Sequence, residues 1–133
     1  QNQLYWAEKD MGAFRDGKQI QVRQEDNLKN STIALEFGHN SRNEKLEKMY
    51  KPILEKVRYA YVFGSAVKDM MSVAEGAIDA TFLRAHPWDF AAGAIIVLEA
   101  GGKITDPKGN EPDYIAPTFE LICSNICHGI EIF

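Results

Sequence analysis

The chain has 133 residues, 45% hydrophobic and 26% charged, the balance of an ordinary folded domain long enough to bury a core. That composition excludes disorder, collagen and coiled coil, and a net charge of −4 (15 Lys and Arg against 19 Asp and Glu) argues against nucleic acid as a partner. No apolar run approaches the roughly 20 residues of a membrane span, no leader pattern opens the chain, and the two cysteines, Cys123 and Cys127, make neither a disulfide framework nor a zinc site, so a reducing cytoplasm is the expected compartment.

The chain opens at Gln1 and runs at once into strand-like Leu4-Tyr5-Trp6-Ala7. A turn around Asp10 and Gly12 follows, then Ala13-Phe14-Arg15, Asp16-Gly17 and Lys18 to Val22. Asp-Gly between two such runs predicts a hairpin, because a type I′ turn needs positive φ at both central residues. Ser31 to Phe37 reads as a further strand closed by Gly38. The period then changes to helical. Ser41 and Glu44 form a capping box, and Leu46, Met49, Tyr50, Ile53, Leu54 and Val57 make one apolar stripe, with Pro52 expected to kink or end it. The Lys- and Glu-rich remainder of that helix, from Arg42 to Lys56, reads as a solvated face.

Val57 to Val62 reads as a strand in which Tyr59 and Tyr61 pack. Gly64-Ser65 is a turn with Ser65 as N-cap, Ala66 to Glu75 is a helix, and Gly76 is its stop. Ile78 to Leu83 is a strand, with Asp79 in a structural role. His86-Pro87-Trp88 is a loop, and Asp89 opens a helix ended by Gly101-Gly102. Short strands at Lys103 to Asp106 and Leu121 to Cys123 flank a turn-rich loop holding Pro107, Gly109, Pro112 and Pro117. No linker or repeat divides the chain, so residues 1–133 read as a single domain. Its class is α/β, a layered mixed sheet flanked by helices with an antiparallel hairpin at its start.

The most informative stretch is Trp88-Asp89-Phe90-Ala91-Ala92-Gly93, continuing to Glu99-Ala100-Gly101-Gly102. It places a carboxylate at a helix start directly after a strand, with small residues behind it. Taken alone, such an Asp is explained by capping and the helix dipole. Its other reading is a ligand for Mg²⁺, which prefers oxygen donors and takes one or two carboxylates. Taken whole, the stretch closely resembles the C-terminal signature of the inositol monophosphatase family. Gly64-Ser65-Ala66 with Val73-Ala74-Glu75-Gly76 and Ile78-Asp79-Ala80 is similar to that family's preceding segment, and residues 4–17 to its central hairpin, so the resemblance covers nearly the whole chain.

The resemblance implies a Mg²⁺-dependent, Li⁺-sensitive hydrolase of small phosphate monoesters acting through metal-activated water, with a small phosphorylated metabolite as its partner and a homodimer as its oligomer. By motif, Asp89 is expected to be a metal ligand, and Gly64, Ser65 and Ala66 to line the substrate. A Gly-Ser turn opening a helix independently presents N–H groups and a hydroxyl to an anion. The family's Glu-Glu pair and Asp-Pro-x-Asp-Gly-Thr motif are not found in the chain. Asp89 alone cannot hold the several carboxylate-bound ions, roughly 4 Å apart, of such a phosphatase. The chain therefore reads as the family's C-terminal half, catalytically incomplete and inactive without the missing N-terminal half. The connection from Phe82 to Pro87 is one residue short of the family's and lacks its Glu. Arg84 in that connection is expected to favour a more anionic substrate, with a solvated arginine as the plain alternative. His86 is a weak candidate base, and His39 reads as a surface residue. The rival to the enzyme is a stand-alone binding or interaction module built on the same fold.

Overall fold

The computed structural model describes residues 2–37, 42–115 and 119–125, the side chain of Phe119 excepted. Strands β1 (Tyr5–Glu8), β2 (Gly12–Arg15) and β3 (Lys18–Ile20) form an antiparallel meander. Its second turn is the expected Asp16-Gly17, with φ of 50° and 79°. Alternation gives the meander two faces. Tyr5, Ala7, Ala13 and Ile20 pack against the core, while Trp6 and Phe14, register partners, stack at 4.3 Å on the other side.

The second sheet has five strands in the order β5-β4-β6-β8-β7. Strand β4 (Thr32–Leu35) runs parallel to β5 (Tyr59–Tyr61) and to β6 (Ala80–Ala85). Strand β8 (Phe119–Ser124) is antiparallel to both β6 and β7 (Lys103–Thr105). Ile33, Ala34 and Leu35 of β4 are all buried, because helices cover both faces. On one face lie α1 (Arg42–Lys45), a π-turn (Leu46–Tyr50) and α2 (Lys51–Leu54), with Tyr50 and Ile53 packed on Ile33, Leu35, Phe82 and Ile122. On the other lie α3 (Ala66–Ala74) and α4 (Pro87–Glu99), and α4 carries the meander on its back. The layers are thus meander, helix pair, sheet, helix.

Two carboxylates fasten the meander to the helix pair. Glu75 accepts hydrogen bonds from the Tyr5 hydroxyl (2.8 Å) and Arg15 Nη1 (2.6 Å). Glu99 accepts from the backbone N–H groups of Asp10 and Gly12, both at 3.0 Å. Burial and the Glu75 carboxylate push the Tyr5 hydroxyl up to about 12. Asp79, fully buried, has the structural role expected of it. It accepts from Thr32 N–H (2.7 Å), Arg23 Nη1 (3.2 Å) and Asn125 Nδ2 (2.9 Å), tying β4, β6 and the end of β8 together.

The structure departs from the sequence reading in three places and bears it out at Pro52. β6 runs on to Ala85, because β8 pairs with it as far as Phe119, so Arg84 lies in a strand and not in a loop. α4 begins at Pro87, whose fixed φ and missing N–H suit a first helical position, which sets Asp89 in the first turn rather than at the opening. Pro52 interrupts its helix as expected, α2 ending at Leu54 two residues on. It has no N–H to give Lys48, and the turn before it widens into the π-turn, with Lys51 N–H reaching back to the Leu46 carbonyl. Tyr59 and Tyr61 do not pack in the core: β5 is a sheet edge and both are about half exposed, at 51% and 47%. Ser41, His39, Gly38, Pro117 and Cys127 lie outside the described residues.

Candidate active site

Three connections leave the carboxyl ends of the parallel strands at one edge of the sheet. The chain leaves β4 through α1 towards β5, and leaves β6 through α4 towards β7 at the far end. Those departures diverge between β4 and β6, and in open α/β sheets such a divergence is where ligands bind. The N-termini of α3 and α4 both open onto this edge.

Gly64 holds φ of 73° and a Cβ there would meet nothing within 4 Å, so glycine serves the backbone turn and not the space. The Ser65 hydroxyl accepts from Lys68 N–H (3.4 Å) and its carbonyl from Asp69 N–H (3.0 Å), which confirms it as the N-cap of α3. The N–H groups of Ala66 and Val67 stand at the open end of that helix. Asp89, exposed, accepts from the His86 N–H at 3.2 Å, and the His86 ring stacks on Trp88 at 4.5 Å. The capping role is therefore present. Of the small residues behind Asp89, Gly93 makes the close approach: a Cβ there would meet Met70 Sδ at 2.9 Å. Ala91 and Ala92 are exposed.

Among the described residues, no three Asp, Glu, His or Cys side chains come together to hold a metal ion. Asp89 offers an exposed carboxylate at the ligand edge, a donor of the kind Mg²⁺ takes, and it would be one ligand of a shell completed by water or by groups from elsewhere.

Arg84 does not share the face of α3 and α4. It stands with Phe82 on the α1 side of the sheet, opposite Glu120 in register, and lines a cavity of about 250 Å³ with Glu44, Lys45, Lys48 and Met49. Lys45 is buried there, and its Nζ donates to the Phe37 carbonyl at 3.3 Å. Sequence reading assigned this lysine to a solvated face. The signal was its spacing: residues 45, 49 and 53 follow one another by one helical turn, which puts Lys45 on the apolar side.

Asp69 was also missed. It lies in the first turn of α3 on the stripe of Met70 and Val73, fully buried. Neither of its oxygens, nor the Thr81 hydroxyl beside it, meets hydrogen-bond geometry with a described group. Burial, and then the nearby Glu36 carboxylate, push Asp69 up to about 6, against the opposing pull of Lys68 and Thr81.

Known proteins share this fold. A sequence profile of the inositol monophosphatase family matches residues 1–131, and the chain belongs to that family. It is 33% identical to an inositol monophosphatase of Dictyostelium discoideum over 129 residues, covering 93% of this chain and 47% of that protein. The extragenic suppressor protein suhB of Bartonella henselae superposes with a TM-score of 0.85 at 28% identity, covering 93% of this chain and 48% of that one. Staphylococcal IMPase-II, solved with inositol monophosphate bound, gives a TM-score of 0.79 at 28% identity over 92% of this chain and 48% of its own; the 2′AMP-bound form gives 0.79 and 28%, over 92% and 47%. The chain spans about half the length of these proteins. No described helix is long and apolar enough to cross a membrane.

Proposed function

We propose that this chain is the substrate-positioning half of a Mg²⁺-dependent hydrolase of small phosphate monoesters. The observation that carries the reading is the convergence, at one sheet edge, of the Asp89 carboxylate and the open N-terminus of α3. Family membership gives it the reaction class, and the staphylococcal relatives, with inositol monophosphate and 2′AMP bound, give it the ligand class. Asp89 would hold Mg²⁺ together with carboxylates from the half of the fold this chain does not contain. When bound, Mg²⁺ supplies charge neutralisation at the phosphate and acidifies the attacking water. Ser65 and the N–H groups of Ala66 and Val67 orient the ester or its polyol, and the helix dipole of α3 favours its negative charge. Arg84 adds a preference for a second anionic group.

The chain alone should turn over no phosphomonoester, because one carboxylate leaves most of an octahedral shell to water. The test is to purify the chain alone and joined to an N-terminal half bearing Glu-Glu and Asp-Pro-x-Asp-Gly-Thr, and to assay both with Mg²⁺ and inositol monophosphate. Turnover only in the joined protein, lost in Asp89→Asn, supports the reading. Turnover by the chain alone would overturn the claim of incompleteness. No turnover in either form would favour a non-catalytic binding module.

A further inference from the structure

The cavity beside Arg84 has the chemistry of an anion site. Its lining carries three cations (Lys45, Lys48, Arg84) against two carboxylates (Glu44, Glu120), in a chain whose net charge is −4. Lys48 already holds Glu44 at 2.9 Å. Lys45 and Arg84 are not so matched. Lys45 is only 8% exposed, yet its ammonium, with three protons to donate, bonds one backbone carbonyl among the described residues. A buried cation is stable when a counter-charge accompanies it. Arg84 makes no ion pair among the described residues, and its planar guanidinium suits the paired oxygens of a phosphate or carboxylate.

The cavity is built rather than incidental. Lys45, Lys48 and Met49 share one side of their helix by i, i+3, i+4 spacing, and the π-turn of Leu46–Tyr50 adjoins them; such turns recur at functional sites. At about 250 Å³ it falls below the roughly 300 Å³ at which pockets for whole drug-sized ligands begin, so it fits one group of a ligand. It also lies where β6 ends and α1 begins, on the edge that carries Asp89 but on the other face of the sheet.

We propose that this cavity is a second-anion subsite, in which Lys45 and Arg84 take a phosphate or carboxylate of the same small ligand whose ester lies at the Asp89 edge. The proposal rests on the phosphatase reading for that shared ligand, while the subsite itself is testable without it. Amide NMR spectra of the chain, without Mg²⁺ and at constant ionic strength, are followed during titration with inorganic phosphate and, separately, acetate. The expected result is a cluster of shifts around Lys45, Lys48, Arg84 and Glu120, separate from any at the N-terminus of α3 and weakened in Arg84→Gln, with whichever anion binds more tightly naming the group. Arg84→Gln should weaken that binding roughly tenfold, the loss of one charge-assisted contact, and Asp89→Asn should leave it unchanged. Lys45→Met is the second variant; Arg84→Gln, on an exposed residue, keeps the test open if that one does not fold.

Shifts scattered over the surface, or equal affinity in Arg84→Gln, would overturn the subsite. In the joined enzyme, Arg84→Gln should lower kcat/KM for a bis-anionic substrate and spare that for a monophosphate; an equal fall for both would sink the shared-ligand claim. Anion binding at the cavity with no turnover in the joined protein would defeat the phosphatase reading alone. Turnover with a silent cavity would defeat the subsite alone.

Discussion

Asp69 makes the sharpest statement available at a single residue. Its folded pKa, about 6, stands above the ordinary value of 3.8. The unfolded chain therefore releases this proton first as pH rises, and stability falls between about pH 4 and 6 before levelling off. Asp69→Asn keeps the shape and offers Thr81 a donor without the charge. Denaturant unfolding should show the variant and the parent close together at pH 4, with the variant ahead by about 2 kcal/mol at pH 7. A gap that does not change with pH would show that Asp69 is neutralised by a partner. Gly102 is a second case. A Cβ there would meet Val97 Cγ1 at 2.7 Å and the carbonyls of Val97 and Ser124 at 3.0 and 3.1 Å. Two of those neighbours are backbone and have no rotamer to change. Gly102→Ala should cost more in a thermal melt than Gly93→Ala, whose nearest neighbour is a flexible methionine end, each on the scale of about 1–3 kcal/mol for overpacking.

At the scale of elements, the Glu99 clamp decides how the first turn of the meander is held. Two backbone N–H groups converge on one carboxylate. Glu99→Ala should lower stability by about 1–2 kcal/mol and speed amide exchange at Asp10 and Gly12 more than at Asp16 and Gly17, whose turn is held by its own geometry. Equal protection at both turns would assign the clamp no role. The same scale shows how much the sequence carries. The Asp16-Gly17 turn, the Ser65 cap and the helix after it follow from local chemistry, and the structure has them. The end of β6 and the exposure of β5 depend on which strand lies alongside, which no local pattern states. Lys45 and Arg84 illustrate the same limit. Their residue types are plain in the sequence, but their meeting depends on how that helix packs on the sheet and on the pairing of β6 with β8. The family's signature around Asp89 was legible because it is long and contiguous. The partners that would complete a metal shell are not in this chain's motifs at all.

For the whole molecule, the exposed apolar surface is the governing feature. Leu4, Trp6 and Met11 are exposed on the meander, whose β1 edge has no partner strand among the described residues. Trp88, Ile95 and Leu98 line the outer side of α4 at helical spacing, and Tyr59, Tyr61, Val62 and Phe63 crowd the β5 edge. Unpaired edges and broad apolar patches recruit partners. The isolated chain should therefore self-associate with rising concentration in light scattering, and Trp6→Ser with Trp88→Ser should reduce that tendency. Strictly monomeric behaviour at all concentrations would mean that these patches are covered from within.

The clamps at Glu75 and Glu99 also set an order in time. The meander is made before the residues that hold it: Arg15 waits for a residue 60 positions later and Gly12 for one 87 positions later. At roughly 5–20 residues per second, that delay is on the order of ten seconds. For that interval a three-stranded ribbon with a stacked Trp6–Phe14 pair stands outside the ribosome with no helix behind it, and a ribbon of that size is barely stable by itself. The early meander is thus a client for whatever holds nascent chains, and the arrival of Glu99, at the last residue of α4, marks the earliest moment at which it can be released.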